Sequence, residues 1–191
     1  MKEKLVKLFK HLKTIITHRK WVRRTCFKMG IPWQGLTHDL SKYSITELKI
    51  AQYYIGTGSP HEECRRQIGY SPSWIHHFHK NKHHYQFWLE DSENGKWYGI
   101  KIPFKYIIEQ FADFVGAGKA YNSKAWTTSS PQEYWDRHCE GKRIMHKESL
   151  YLIKKLLWNL KEIGDEKEFY KWYKNCKDYL KACYEEGKEI Y

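Results

Sequence analysis

The sequence has little of what a membrane-spanning, secreted or disordered protein needs. No window of about eighteen uncharged apolar residues occurs, so no membrane-spanning helix is expected. Lysines interrupt the apolar residues of the N-terminal stretch MKEKLVKLFKHLKTIITHRK, which excludes the continuous apolar segment of a secretion signal. The five cysteines, an odd number without a C-x-x-C pair, suit a reducing compartment better than a disulfide framework. Together with a 17% aromatic content, these features predict one folded cytoplasmic domain over residues 1–191.

Acidic residues are scarce relative to basic ones. The chain has 34 lysines and arginines against 22 acids, a formal net charge of +12, and residues 1–30 contain only one acid, Glu3. A basic surface attracts phosphate groups, whether on a nucleotide, a nucleic acid or an anionic membrane. The charge therefore favours a phosphorylated small molecule or nucleotide as partner, with nucleic acid as an alternative. A solvated helix face is the interpretation that needs no partner.

Apolar residues recur at helical spacing along nearly the whole chain, which predicts an all-α domain of six or seven helices. The predicted helices cover residues 3–29, 44–54, 71–89, 104–120, a short segment starting at 130, 147–163 and 166–187. Gly30 and Pro32 end the first helix, and the residues from Ser44 to Glu47 have the spacing of a capping box. Ser71 followed by Pro72 fits an N-cap and a first helical residue.

Two segments read as irregular structure. Residues 56–60, with the sequence GTGSP, predict a loop. Residues 91–103 contain Asn94-Gly95 and predict a turn or a short hairpin. We find no Pro/Gly/Ser-rich linker that would divide the chain into domains.

The most unusual feature is a cluster of five histidines within nine residues. Its members are His76, His77, His79, His83 and His84. On a helix that continues through the segment, His77 and His84 lie at the border of an apolar stripe, whereas His76 and His83 fall nearly opposite it. Neutral imidazoles at such a border make good metal ligands. We therefore predict His77 and His84 as ligands and keep His76 and His83 as alternatives.

A second set of candidate ligands lies earlier in the chain. His11 and His18 both flank the apolar face of the first helix, and we favour His18. His38 and Asp39 precede the second helix, where both side chains can reach one metal centre and Asp39 can bridge two ions. Lys42 lies one turn beyond Asp39, where its cation can reach a substrate phosphate.

The order of these residues resembles the HD superfamily of metal-dependent phosphohydrolases. The shared pattern is a helical His18, the pair His38-Asp39, two later histidines and a helical Asp113. The strings GLTHDLSKYS (35–44) and GYSPSWIHHFHKNKHHYQFW (69–88), with the region around Asp113, are also similar to an uncharacterised bacterial and phage family of small HD-like proteins. The resemblance covers about residues 8–150, with helices over 147–188 packing behind this core. It implies an HD-like helical fold and a metal site, but no substrate.

The resemblance also implies a set of roles. One divalent ion would be held by His18, His38, Asp39 and Asp113, with Glu109 as the alternative to Asp113. Asp39 would bridge to a second ion held by His77 and His84. The metal is one or two ions of Mn, Fe, Zn, Ni or Mg. We assign catalysis to Asp39 and Lys42, and binding of the substrate phosphate to Lys42, Lys80 and Asn81.

These roles predict an HD-type phosphohydrolase that acts on a nucleotide or another phosphoester. One alternative is a di-iron HD-type oxygenase, because the same ligands suit iron. Another is a protein without enzymatic activity that binds nucleic acid or a protein partner and holds a structural metal. The sequence leaves the oligomeric state open.

Overall fold

The computed structural model describes residues 2–56, 59–122 and 124–188. Over these ranges the chain forms nine α-helices and one two-stranded hairpin, which confirms an all-α single domain. The helices are α1 (Lys2–Lys28), α2 (Pro32–Thr37), α3 (Ile45–Leu48), α4 (Pro60–Ile68), α5 (Pro72–Lys80), α6 (Phe104–Tyr121), α7 (Ser130–His138), α8 (Lys147–Ile163) and α9 (Glu166–Glu186). Short 3₁₀ helices cover Leu40–Tyr43, Lys49–Tyr53 and Tyr85–Trp88.

The capping residues predicted from the sequence lie at several of the observed helix ends. The Ser44 hydroxyl accepts a hydrogen bond from the Glu47 backbone N–H (3.3 Å), and Ser71 accepts one from the Trp74 N–H in the same way (3.3 Å). The positive φ of Gly30 (72°) separates α1 from α2. Local capping chemistry therefore places these helix ends, as the sequence predicted.

The helix count of six or seven was too low, because α2 and α4 were not predicted. Both are short and begin at a proline, a signal that also fits a loop. The predicted helix over 44–54 is the four-residue α3 followed by a 3₁₀ helix. Of the predicted loop over 56–60, Thr57 and Gly58 lie outside the described residues.

The prediction of one helix over 71–89 was wrong at its C-terminal end. Helix α5 ends at Lys80, because Asn81 adopts an extended conformation (φ −118°, ψ 107°). The Asn81 amide donates to the His77 carbonyl (2.8 Å) and to the Ser41 hydroxyl (2.7 Å), which fixes this ending. The chain then turns into a 3₁₀ helix and the hairpin, whose antiparallel strands are β1 (Leu89–Asp91) and β2 (Trp97–Gly99).

Helix α6 lies at the centre of the domain. It packs against α1 on one side and against α7, α8 and α9 on the others. The fully buried side chains of this core include Val22, Ile107, Ile108, Phe111, Trp135, Leu152, Leu156, Phe169 and Tyr173. At the crossing of α1 and α6, Gly116 faces Val22 and lets the two backbones approach closely. This approach positions one face of α1 against one face of α6.

The apolar stripe predicted along the first helix is buried only in its C-terminal half. Burial begins at Ile15, whereas Leu5 and Phe9 are exposed. The N-terminal turns of α1 therefore lie outside the core. None of the described helices combines the length and apolar character needed to cross a bilayer.

Candidate metal centre

Four donor atoms from three elements meet at the α1–α6 crossing. The Nε2 atoms of His18 (α1) and His38 lie 3.3 Å apart. Oδ2 of Asp39 lies 3.5 Å and 3.4 Å from these two nitrogens, and Oδ1 of Asp113 (α6) lies 3.1 Å and 3.6 Å from them. Donors bound at about 2.0–2.2 Å to one ion are separated by about 3.0–3.6 Å, so these four atoms have the spacing of a single coordination shell. We call them the first donor group.

The other oxygen of Asp39 faces a second donor group. Oδ1 of Asp39 lies 3.3 Å from Nε2 of His77 and 3.5 Å from Nε2 of His83. A nitrogen of His84 lies within 4.8 Å of these atoms. Asp39 is thus the only residue common to the two groups, with one carboxylate oxygen in each.

Several of these donor atoms have no hydrogen-bond partner within the described part of the protein. Among the described residues, the buried atoms Asp39 Oδ1, His83 Nε2 and His84 Nε2 have no hydrogen-bond partner. Unpartnered buried polar atoms are costly, and all three of these belong to residues of the second donor group. Nitrogen and carboxylate donors of this kind suit Zn, Fe, Mn or Ni. The residues therefore fit a divalent ion in each group.

The backbone around Asp39 is shaped to present both carboxylate oxygens. Asp39 has φ 54°, and it is the only described residue other than glycine with a positive φ. This conformation costs energy and persists only where the surroundings enforce it. Arg19 supplies part of that constraint, since its guanidinium donates to the carbonyls of His38 (2.8 Å) and Leu36 (3.1 Å) and to the Tyr43 hydroxyl (3.2 Å).

Two buried carboxylates orient the imidazoles from behind. Glu109 accepts hydrogen bonds from Nδ1–H of His38 (2.9 Å) and of His83 (3.1 Å), and Glu47 accepts one from Nδ1–H of His77 (2.8 Å). A histidine that donates from Nδ1 keeps the lone pair of Nε2 for a cation. Glu109, the predicted alternative to Asp113, is therefore placed behind the donors, and Asp113 among them.

In the first donor group, the charges of the acids govern protonation. Burial alone lowers the pKa of His18, but hydrogen bonds and charge from Asp113 and Asp39 raise it above its ordinary value. The pKa of His38 is raised to about 10 in the same way, against the effect of burial, by the charge of Asp39 and by Asp113 and Glu109. Burial raises the pKa of Asp39, but the charges of His38 and Lys42 hold it well below its usual value. Without a metal, the group is thus a network of buried ion pairs.

In the second donor group, burial governs protonation. Burial lowers the pKa of His77, an effect that the nearby Asp39 only partly offsets. The pKa of His84 lies well below its ordinary value because of burial and the neighbouring His83 and His77. These imidazoles are neutral at pH 7 and ready to bind a cation.

Lys42 brings a positive charge to the centre. Its Nζ lies 3.5 Å from Oδ2 of Asp39 and 3.4 Å from Nε2 of His77. The Lys42 side chain is 20% exposed, whereas those of Asp39 and His77 are 2% and 1% exposed, so Lys42 is the more accessible of the three. Burial lowers the pKa of Lys42, but the charges of Asp39, Asp113 and Glu47 raise it above its usual value, and the amine is charged at pH 7.

The structure places other sequence candidates away from the donor atoms. His11 is half-buried and faces the ring of Tyr54, with 6.4 Å between the ring centres. Lys80 is exposed at the last residue of α5. The Asn81 amide donates to Ser41 and to the His77 carbonyl and lies 3.1 Å from Nδ1 of His77, so it lies behind this ring and not among the donor atoms. His76 donates to Glu47 (2.8 Å) and joins neither donor group.

The sequence interpretation placed His83 on the wrong side. The prediction assumed a continuous helix, on which His83 points away from the apolar stripe. Because α5 ends at Lys80, His83 follows a turn and its side chain is 1% exposed, inside the second donor group. The available signal was Asn81, a residue that often ends helices, at the point where the helix stops.

The fold and the two donor groups define an all-α protein with a histidine–carboxylate centre. The chain belongs to the family of unknown function DUF5662, whose model matches residues 7–159. All the residues of the two donor groups lie within this range. The search among curated proteins found no match, and neither did the search among solved structures.

Proposed function

We propose that this protein is a metal-dependent phosphohydrolase that acts on a nucleotide or another phosphoester at a dinuclear centre. The observation that carries the proposal is the carboxylate of Asp39, whose two oxygens belong to two separate donor groups. A bridging carboxylate of this kind is a common feature of two-metal hydrolytic sites. The resemblance of the His and Asp order to the HD superfamily agrees with the proposal.

Each donor group would hold one divalent ion. The first ion would be bound by His18, His38, Asp39 and Asp113. The second would be bound by Asp39, His77, His83 and His84. When bound, such ions lower the pKa of a coordinated water and neutralise charge on phosphoryl oxygens.

Lys42 supplies the recognition of the phosphate. Its charged Nζ lies beside Asp39 and His77, and its side chain is partly exposed. An ammonium group in this place forms charge-assisted hydrogen bonds with phosphate oxygens. The net charge of +12 further raises the local concentration of anionic substrates.

The proposal is tested with Asp39→Ala, using Asp178→Ala on the exposed surface of α9 as the control. Metal per chain is measured by elemental analysis of protein purified without chelators, and hydrolysis is measured on a panel of nucleotides and aryl phosphates. We expect about two ions of Mn, Zn or Ni and turnover for the wild type and for Asp178→Ala. Asp39→Ala should lose both, while its circular dichroism stays helical.

The same measurements separate the alternatives. Hydrolysis by Asp39→Ala at the wild-type rate would show that the site assignment is wrong. A centre rich in iron, with oxygen uptake and no hydrolysis, would indicate an oxygenase. A wild-type chain that binds no metal even in excess divalent ions would rule out both kinds of enzyme at this site.

A further inference from the structure

One carboxylate oxygen serves both donor groups from behind. Oε1 of Glu109 accepts Nδ1–H of His38 (2.9 Å), which belongs to the first group, and Nδ1–H of His83 (3.1 Å), which belongs to the second. Glu109 is 6% exposed and lies on α6, one turn before Asp113. Helix α6 therefore supplies a donor and an orienting acceptor to the same centre.

The two imidazoles use their opposite nitrogens for Asp39. Nε2 of His38 lies 3.4 Å from Oδ2 of Asp39, and Nε2 of His83 lies 3.5 Å from Oδ1. Each ring thus has the Glu109 carboxylate at its Nδ1 atom and the Asp39 carboxylate near its Nε2 atom. The rings also lie against each other, with 4.4 Å between their centres. A change in the orientation of one ring therefore changes the packing of the other.

Glu47 provides the contrasting case. Its Oε2 accepts Nδ1–H of His77 (2.8 Å), and its Oε1 accepts Nδ1–H of His76 (2.8 Å). His77 belongs to the second donor group, whereas His76 belongs to neither. Glu47 therefore supports one group only, although it is buried to a similar degree as Glu109.

We propose that Glu109 is a positioning residue shared by the two metal sites and that it couples their occupancy. The inference rests on the proposed dinuclear centre. An ion in the first group fixes the ring of His38, which directs Oε1 of Glu109. That oxygen then fixes the ring of His83 for the second ion. The removal of Glu109 should weaken the binding of both ions, whereas the removal of Glu47 should weaken the binding of only one. Loss of such orienting partners typically costs about 10–100-fold in metal affinity.

The test compares Glu109→Ala and Glu109→Gln with Glu47→Ala and Glu47→Gln as matched controls. Metal-free proteins are titrated with Mn²⁺ by calorimetry, and bound metal is counted after equilibrium dialysis. Wild type should bind two ions. Glu109→Ala should weaken both binding steps by about 10–100-fold, and Glu47→Ala should weaken one step by a similar factor. The glutamine variants keep an oxygen acceptor, so each should show the same pattern with a smaller loss.

A second readout reports on the rings themselves. In the Zn²⁺-loaded protein, NMR of the histidine side chains should show Nδ1–H protons of His38 and His83 that exchange slowly with water. Both should exchange faster in Glu109→Gln, while that of His77 is unchanged. The reverse pattern is expected for Glu47→Gln. A residue that only stabilised the fold would not produce this division between rings.

The outcomes separate failure of this inference from failure of the proposed function. If wild type binds two ions but Glu109→Ala and Glu109→Gln weaken one step or none, the coupling is wrong and the dinuclear centre stands. If wild type binds no metal, both proposals are overturned. Circular dichroism monitors folding, and if Glu109→Ala does not fold, the comparison of Glu109→Gln with Glu47→Gln decides the question.

Discussion

Val22 and Gly116 are in contact where α1 crosses α6, so that a Cβ atom at position 116 would lie 2.4 Å from Cγ2 of Val22 and 3.0 Å from its backbone nitrogen. The same crossing sets the 3.1 Å separation of His18 and Asp113, which belong to these two helices. The distance between two donor atoms of the centre thus depends on a residue that has no side chain.

The first prediction concerns this crossing. Gly116→Ala should destabilise the fold by about 1–3 kcal/mol through overpacking, partly offset by about 1 kcal/mol of helix propensity. The melting temperature should therefore fall, and metal affinity should fall with it because His18 and Asp113 move apart. In a Val22→Ala background, where Cγ2 is absent, the same change should cost less. Equal costs in the two backgrounds, measured as a double-mutant cycle, would contradict this account.

The second prediction separates two lysines that the sequence analysis both assigned to binding of the substrate phosphate. Lys42→Gln removes the cation beside Asp39 and His77, so kcat/KM for phosphoesters should fall by about 100-fold or more, the value of one or two charge-assisted hydrogen bonds. Metal content should stay near two ions. Lys80→Gln, on the exposed end of α5, is the matched control and should leave the kinetics unchanged. A larger effect at Lys80 than at Lys42 would refute the assignment.

The third prediction follows from the end of α5 at Lys80. His83→Ala should bind about one ion per chain, because Nε2 of His83 belongs to the second donor group. His76→Ala should keep two ions, since His76 contacts Glu47 and no donor atom of the centre. Elemental analysis of both variants checks this. Two bound ions in both variants would instead favour the continuous helix that the sequence suggested, on which His76 and His83 both lie away from the predicted ligands.

The fourth prediction concerns pH. The pKa of His38, raised to about 10, keeps this ring protonated at pH 7 in the metal-free protein, and the raised pKa of His18 favours its protonated form. A metal binds only the neutral imidazole. Binding of the first ion should therefore release protons, and its affinity should fall by about tenfold for each pH unit lowered and each proton displaced. Binding of the second ion should release few protons, because the pKa values of His77 and His84 are already lowered.

Calorimetry in buffers of different ionisation enthalpy measures this release directly. Titrations between pH 6 and pH 8 give the slope of the affinity for each step. Binding of the first ion without proton release, or with higher affinity at the lower pH, would contradict the charge network described for His38 and Asp39.

Much of the fold follows from local sequence patterns. Helices α6, α8 and α9 have apolar residues at regular helical spacing, and the structure confirms them within one or two residues. The hairpin at Asn94-Gly95 is also confirmed, because this dipeptide favours a tight turn. Short helices such as α2 and α4 escape such reasoning, because few residues carry their pattern.

The sequence by itself determined the helical class, the main helix ends and the order of residues that drew attention to His18, His38, Asp39 and Asp113. These depend on neighbours in the chain, through periodicity, capping and adjacency. The tertiary structure alone decided that His83 enters the second donor group and that Glu109 stands behind two imidazoles. Both depend on where α5 stops and on how α6 packs against its neighbours. Glu109 contacts His83 and His38, which lie 26 and 71 residues away along the chain, and no pattern within a single helix encodes contacts over such distances.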